Sequence, residues 1–116
     1  MKQEAFTMSL LLDYYGGLLT EKQKTYFDLY YNQDLSLSEI AEQEGISRQG
    51  VHDAISRAET LLREMERAAG CIARAHRLRL ALEQIRDAAQ RLAASSDPEV
   101  QSCAQRILSA AASVKE

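Results

Sequence analysis

Residues 35–67 read LSLSEIAEQEGISRQGVHDAISRAETLLREMER, and their apolar spacing predicts two helices joined by a tight turn. One face of the first helix holds Leu37, Ile40 and Ala41. Gly45 follows, and glycine is the residue that most readily takes the left-handed conformation at a helix end. Ser47 is a favourable N-cap for the second helix, which turns inward Val51, Ala54 and Ile55. Two amphipathic helices around a glycine turn are typical of a helix-turn-helix.

These residues also carry a family resemblance. The segment SLSEIAEQEGISRQGVHDAISRAETLL (36–62) resembles region four of sigma factors, the part that reads promoter DNA. With YYNQD before it and the pattern SRQGV-x-D-x-I-x-R inside it, the chain is more similar to the YlxM-like proteins over roughly residues 5–92. Those are small bacterial helix-turn-helix proteins linked to the signal recognition particle pathway. The resemblance implies an all-α, sigma region-four-like helix-turn-helix fold and a regulatory role on the genes or components of that pathway.

One residue departs from the family pattern. Glu44 stands just before the turn glycine, where such helices place an apolar residue. A carboxylate at this position would either loosen the turn or face solvent.

Composition bounds the class of protein. The chain has 116 residues with one proline and five glycines, which favours an ordered all-helical protein. It holds no run of about 18 apolar residues and no secretory signal pattern, so we expect a cytoplasmic protein without a membrane span. Cys71 and Cys103 lack the spacing of a metal site and are interpreted as reduced core residues.

Charge is unevenly distributed along the chain. Residues 1–45 hold three basic and eight acidic residues, a net charge of −5, whereas residues 46–67 are balanced and residues 68–116 carry +2. A polyanion-binding surface would therefore have to begin at Arg48 and continue toward the C-terminus.

The first 31 residues predict two helices, one over residues 4–15 and one that begins with a capping box at Thr20 and Gln23 and ends at Tyr31. They contain every aromatic residue of the chain: Phe6, Tyr14, Tyr15, Tyr26, Phe27, Tyr30 and Tyr31. Aromatic rings can stack on bases. Because the surrounding charge repels phosphate, we interpret them instead as packing against the helix-turn-helix.

A heptad-like apolar seam continues beyond the helix-turn-helix. Residues 1–67 are therefore predicted to contain the N-terminal helices and the helix-turn-helix (35–67). Residues 68–116 are predicted to form a C-terminal dimerisation extension, continuous with the second helix of the helix-turn-helix, which we call the recognition helix. Gly70 and a change of register predict one long helix or two collinear helices bent within residues 70–78. Asp97 and Pro98 begin a final helix too short to cover the seam. We therefore expect a homodimer whose interface contains Leu61, Met65, Ile72, Leu82 and Ile85.

The start of the second helix offers candidate DNA contacts, because that part of a helix-turn-helix reaches base edges. They are Ser47, Arg48, Gln49, His52, Ser56 and Arg57. Arg48 suits guanine and Gln49 suits adenine, while Asp53 on the same face opposes a polyanion. A weaker phosphate-binding candidate is a stripe of four arginines that would share one face if the helix were continuous: Arg63, Arg67, Arg74 and Arg77. The alternative interpretation is that this stripe is only the solvated face of an amphipathic helix.

Three functions remain open at this point. The first is a DNA-binding regulatory protein, the second is an adaptor whose helix-turn-helix binds a protein partner, and the third is binding to the RNA of the signal recognition particle. The sequence contains no phosphate-binding glycine loop, metal-ligand spacing or activated nucleophile, so we expect no enzymatic activity, metal or cofactor.

Overall fold

The structure, a computed structural model, describes residues 4–114. The helices are α1 (Ala5–Tyr15), α2 (Glu21–Tyr31), α3 (Leu37–Glu44), α4 (Arg48–Ala69), α5 (Cys71–Ala93) and α6 (Pro98–Ala112), with a turn of 3-10 helix at Gly16–Leu18. The described residues contain no strand, which confirms the predicted all-α class. Residues 1–3 and 115–116, which belong to the predicted domain ranges 1–67 and 68–116, lie outside the described residues.

Reciprocal capping fixes where α2 and α3 begin. At α2 the Gln23 amide donates to Thr20 Oγ1 at 3.1 Å, and the Thr20 amide donates to Gln23 Oε1 at 2.9 Å, as predicted. Ser36 and Glu39 make the same pair of bonds at α3, each at 3.0 Å. This second box has the same sequence signature as the first but was not predicted.

The turn between α3 and α4 has the predicted geometry. Gly45 adopts φ 70°, and the amides of Gly45 and Ile46 both donate to the Ala41 carbonyl. Glu44 is exposed, and its Oε2 accepts a 3.3 Å hydrogen bond from the side-chain amide Nε2 of Gln43. Its carboxylate therefore faces solvent, and the turn stays closed. The departure from the family pattern therefore does not loosen the turn.

One core unites the four helices of the first compact unit, which ends at Ile72. Helix α4 contacts each of α1, α2 and α3. The buried residues are Met8, Leu11, Tyr15, Leu19, Tyr26, Phe27, Ile40, Ala41, Val51, Ile55, Ala58 and Leu62. The predicted inward residues Val51 and Ile55 are among them, and Ala54 is half-buried.

The aromatic residues divide between the core and the surface. Tyr15, Tyr26 and Phe27 are buried, and Tyr30 and Tyr31 pack partly buried against them, which confirms the core interpretation for these five. It is wrong for Phe6 and Tyr14, which are 80% and 42% exposed. Both lie on the outer side of α1, which no other described helix of this unit covers.

Of the two predicted alternatives, the structure has two helices rather than one long helix, and the break falls at Gly70, at the start of the predicted range 70–78. The recognition helix is therefore not continuous with the C-terminal extension. Helix α4 ends at Ala69, and Gly70 adopts φ 65°, a left-handed conformation that stops an α-helix. The new helix α5 is capped by groups from the first unit: the Ile72 amide donates to Glu66 Oε1 at 3.0 Å and the Cys71 amide donates to Tyr15 Oη at 3.2 Å. These acceptors satisfy amides that a helix start leaves unpaired.

Residues from Ala73 onward form the second unit, in which α5 and α6 make a helical hairpin. Arg86 Nη2 donates to the Ala111 carbonyl at 3.2 Å. The buried residues pair off at matching distances from the turn, Leu82 with Ala111 and Ala89 with Ala104, as antiparallel helices require. The predicted final helix is confirmed, with Asp97 as its N-cap and Pro98 as its first residue.

The predicted dimer seam is divided between these two units. Leu61, Met65 and Ile72 pack partly buried against the first core, and Leu62, which the seam omitted, is fully buried beside them. Leu82 is buried in the second unit, whereas Ile85 is 45% exposed. The homodimer itself stays a prediction.

The cysteines are both free thiols. Cys71 is half-buried against the first core, but Cys103 is exposed on α6. The core assignment of Cys103 is therefore wrong, because it lies about 90° around α6 from the buried residues Ala104 and Ala111.

The first testable expectation concerns the core aromatic residues. Phe27→Ala removes a ring with no solvent exposure and should lower the free energy of unfolding by about 3–5 kcal/mol. The matched control, Phe6→Ala, removes a ring that is 80% exposed and should stay within about 0.5 kcal/mol of the wild type. Urea denaturation followed by circular dichroism measures both. Similar values for the two variants would refute the assignment of Phe27 to the core.

A second expectation concerns the turn. A Cβ added at Gly45 would meet no atom within 4 Å, so Gly45→Ala tests the left-handed backbone alone and should cost about 1–2 kcal/mol of unfolding free energy. Gly17 has equally open surroundings but no positive φ, so Gly17→Ala should be close to neutral. Thermal melts of the two variants compare them directly, and equal melting temperatures would argue against strain at residue 45.

Candidate nucleic-acid interface

The first turn of α4 is held outward by the apolar residues behind it. Val51 has no solvent exposure and Ile55 only 4%, and both pack in the core that α3 shares through Ile40. Ser47 caps the helix by accepting a 3.0 Å hydrogen bond from the Gly50 amide. The buried side thus fixes the rotation of α4, and the opposite side of its first two turns faces solvent.

The structure places the predicted DNA contacts on that solvent side. Ser47, Arg48, Gln49, His52 and Arg57 are exposed, and Ser56 is half-buried. Gln49, His52 and Ser56 follow one another at helical spacing and form the middle of the surface, with Arg48 and Arg57 at its two edges. Whether this surface binds DNA stays a prediction.

Glycine at position 50 has a local structural reason. A Cβ there would lie 3.1 Å from Ser47 Oγ, the oxygen that caps the helix. Glycine therefore leaves room for the cap, in addition to keeping the helix surface low.

Asp53 organises the side chains around it. Its Oδ1 accepts a 2.9 Å hydrogen bond from Gln49 Nε2, one helical turn earlier, and lies 3.4 Å from His52 Nδ1. The Gln49 amide that could read adenine is therefore engaged by a carboxylate in the unbound chain. Contact with a base would require Gln49 to exchange this partner.

The same contacts keep Asp53 ionised. The hydrogen bond from Gln49 lowers the pKa of the Asp53 carboxyl, and the hydrogen bond from His52 and the charges of His52 and Arg57 lower it further. The candidate interface thus carries a fixed negative charge at neutral pH. The helix-turn-helix as a whole, residues 35–57, has four acidic and two basic residues, a net charge of −2. Its field does not attract phosphate nonspecifically.

The arginine stripe is not formed as one helix face. Its prediction assumed a continuous helix, but Gly70 separates Arg63 and Arg67 on α4 from Arg74 and Arg77 on α5. Arg63 is also paired with a carboxylate, because its Nη2 lies 3.0 Å from Glu4 Oε2. The proposed stripe geometry is therefore wrong, and phosphate binding by the individual arginines stays a prediction.

Two tyrosine–carboxylate hydrogen bonds tie α4 to α2 and α1, and neither was predicted from the sequence. Tyr31 Oη donates to Glu59 Oε1, and Tyr15 Oη donates to Glu66 Oε1 at 2.6 Å. Burial, followed by these hydrogen bonds, raises the pKa of both tyrosines, so both stay protonated donors. Glu59 and Glu66 lie seven residues apart and therefore on the same side of α4, and this spacing is the feature of the sequence that could have indicated the two contacts.

Two further properties bear on function. Among residues 4–114, no group of three or more histidine, cysteine, aspartate or glutamate side chains is placed to hold a metal ion. Of the helices in the described part of the chain, none has the length and apolar character needed to cross a membrane.

Comparison with known proteins gives a consistent result. The sequence model of the UPF0122 family, described as "Putative helix-turn-helix protein, YlxM / p13 like", matches residues 2–100. A UPF0122 protein of Halalkalibacterium halodurans is 40% identical over 84% of this chain and 89% of its own length. A UPF0122 protein of Geobacillus kaustophilus is 42% identical over 75% of this chain and 79% of its own length. The match to a UPF0122 protein of Desulforamulus reducens, 49% identical, spans 62% of each chain, less than two thirds of that relative's length.

The Asp53 contacts generate a prediction about titration. Gln49→Ala removes the largest cause of the lowered pKa, so the pKa of Asp53 should rise toward its ordinary value of 3.8. A carboxyl with a lowered pKa favours the folded state above its unfolded pKa and loses that contribution as pH falls through the folded pKa. Carboxyl chemical shifts measured by NMR over pH 2–6 report the change. An unchanged Asp53 titration in the variant would mean that the amide does not hold the carboxylate in solution.

Proposed function

The chain belongs to the UPF0122 family of YlxM- and p13-like helix-turn-helix proteins, and we propose that it is a non-enzymatic regulatory protein that binds duplex DNA through the first two turns of α4. The observation that carries this proposal is the exposed row that begins at the capped helix start and runs through Arg48, Gln49 and His52. Side chains at this position of a helix-turn-helix reach base edges in the major groove.

The roles of the side chains follow from their donors and acceptors. Arg48 can donate two parallel hydrogen bonds to a guanine edge, and Gln49 can both donate to and accept from an adenine edge. Ser47 lies at the N-terminus of α4, where backbone amides and the helix dipole favour a phosphate. Arg57, more than two helical turns further along α4, reaches the phosphate backbone of the DNA beside the contacted bases.

Asp53 makes this binding selective. An ionised carboxylate in the middle of the interface repels phosphate on any sequence, so nonspecific binding is weak. A matching base edge offers Gln49 a new partner, and favourable contacts from Arg48 offset the remaining repulsion. Specificity then arises partly from what the surface rejects.

The protein acts as a homodimer in this proposal and presents two copies of α4. A DNA site therefore consists of two half-sites whose separation is set by the distance between the recognition helices. By resemblance to YlxM-like proteins, the regulated process lies near the signal recognition particle pathway, on its genes or its components.

A second candidate function is an adaptor whose helix-turn-helix binds a protein. The net charge of −2 on residues 35–57 and the ionised Asp53 favour it, because they suit a basic protein surface better than a polyanion. Binding to the RNA of the signal recognition particle is less favoured, since Gly70 interrupts the arginine row on which it relied.

Substitution of Asp53 separates these functions. Asp53→Asn removes the repulsive charge while keeping the shape, so it should strengthen background binding to random duplex DNA at low salt. Arg48→Ala should weaken discrimination at one base position by about 1–3 kcal/mol. Selection from a random duplex pool, followed by fluorescence anisotropy on the selected site, measures both effects.

The control for this experiment is Asp28→Asn. Asp28 also accepts a hydrogen bond from an amide four residues away, Asn32 Nδ2 at 2.7 Å, but it lies on α2. The control has the same change in net charge and should leave DNA binding nearly unchanged. If the wild type selects no sequence and Asp53→Asn gains no more than the control, α4 does not face DNA and the adaptor function replaces this one.

A further inference from the structure

The second unit leaves one side of its hairpin uncovered. Leu78, Ile85 and Leu92 follow each other at intervals of seven residues on α5, and they are 41%, 45% and 48% exposed. On α6, a shallow groove of about 430 Å³ is lined by Cys103, Ile107 and Ala110, together with Arg106. We call the surface made of the six uncharged residues, Leu78, Ile85, Leu92, Cys103, Ile107 and Ala110, the open apolar face.

The two rows lie on the same side of the hairpin. At 100° per residue, the row on α5 is rotated by about 50° from the buried residues Leu82 and Ala89. The row on α6 is rotated by about 80°, in the same sense, from Ala104 and Ala111. Because the helices are antiparallel, rotations of the same sense turn both rows toward one side.

The hairpin is too poorly packed to stand alone. The buried residues of this unit within the described chain are one leucine and three alanines. Such a core contributes only a few kcal/mol, whereas each ordered residue costs about 1–2 kcal/mol of backbone entropy. A surface that is required for folding needs an occupant that is always present, and a second copy of the chain meets that condition.

The spacing on α5 is that of a helix-packing seam. Exposed alanines at positions 81 and 88 alternate with the three large residues at steps of three and four. Large residues of one copy can therefore fit over alanines of another. Taking a helix as about 10 Å wide with a rise of 1.5 Å per residue, the stretches 78–92 and 103–110 cover roughly 350 Å². This is the centre of the ~800 Å² per partner of a stable interface, so side chains that flank the face on both helices would supply the remainder.

Charge along the hairpin favours self-association in one orientation. Residues 71–82 contain three arginines and no acidic residue, and residues 83–101 contain four acidic residues and two arginines. In an antiparallel pair the basic end of each copy lies over the acidic end of the other, and two-fold symmetry repeats this contact. A parallel pair would bring like charges together.

We propose that the open apolar face is the dimer interface of the protein, closed by the same face of a second, antiparallel copy into a four-helix bundle. This places the interface on α5 and α6 and keeps only Ile85 of the five predicted residues. Leu82 packs inside its own hairpin, and Leu61, Met65 and Ile72 pack against the first core. The proposal rests on the homodimer of the proposed function and does not depend on DNA binding.

Sedimentation of full-length variants tests the interface. The wild type should have a mass of about 26 kDa, twice the 13.0 kDa of the chain, at tens of micromolar. Ile85→Glu places a charge in the middle of the face and should give 13.0 kDa. Leu80→Glu is the matched control, because Leu80 is 47% exposed on the same helix but points away from the face, and it should stay dimeric.

Each other outcome overturns the proposal in a distinct way. A dimeric Ile85→Glu variant would keep the homodimer and reject this interface, and a monomeric wild type would reject both. If circular dichroism shows that Ile85→Glu loses helix, Ile85→Ala decides, since alanine preserves the helix and should raise the dimer Kd about tenfold or more. An unchanged Kd for Ile85→Ala would reject the interface. DNA selection by the wild type is a separate measurement, so failure of one proposal does not imply failure of the other.

A charge exchange tests the orientation. Arg77 and Glu99 lie beside the open apolar face at opposite ends of the hairpin, so the antiparallel pair brings each near the other in the second copy. Arg77→Glu and Glu99→Lys should each raise the dimer Kd several-fold at low salt, and the double variant should recover most of the affinity. A double variant as weak as the weaker single variant would reject the antiparallel arrangement.

Discussion

The buried side of α4 is the constraint on which the first unit depends. Val51, Ile55, Ala58 and Leu62 turn inward along one stripe, and α1, α2 and α3 all pack on it. Removing that stripe from water is the main favourable term that holds α1, α2 and α3, which have 8 to 11 residues and would be marginal alone. Burial also determines which side chains α4 exposes, because the rotation that buries Val51 is the rotation that exposes Arg48, Gln49 and His52. Stability and presentation of the candidate interface therefore have one physical origin.

Acidic groups have two different roles along this helix. Glu59 and Glu66 accept hydrogen bonds from the partly buried Tyr31 and the buried Tyr15, and thereby tie α4 to α2 and α1. Asp53 is half-exposed and engages only its neighbours Gln49 and His52, so its charge acts outward. In the proposed function this charge limits nonspecific attraction, and base contacts supply the affinity. A helix-turn-helix with little positive charge must gain more from matching contacts than a strongly basic one.

Glu66 also determines where the recognition helix stops. Its Oε1 atom accepts hydrogen bonds from both the Tyr15 hydroxyl and the Ile72 amide. One oxygen near the end of α4 therefore contacts both α1 and the start of α5. The left-handed Gly70 allows the chain to turn there. Beyond this junction the hairpin buries Leu82 and three alanines, and most of its other large apolar side chains remain exposed. The proposed second copy would supply the burial that the hairpin lacks.

The sequence by itself determined most of the local structure. Glycine at 45, the cap residues Thr20, Ser47 and Asp97, and the apolar period of α4 act through neighbours within a few residues, so a linear pattern contains them. It also placed the candidate site, because exposure at the start of α4 follows from the period that buries Val51. Only the tertiary structure decided what depends on distant partners. These include the capping of the first α5 amide by Tyr15, which lies more than fifty residues earlier in the chain, the exposure of Phe6 and the division of the seam between Leu82 and Ile85. A heptad pattern states that residues share a side of a helix, but it cannot state which neighbour covers them, since several apolar surfaces satisfy the same period.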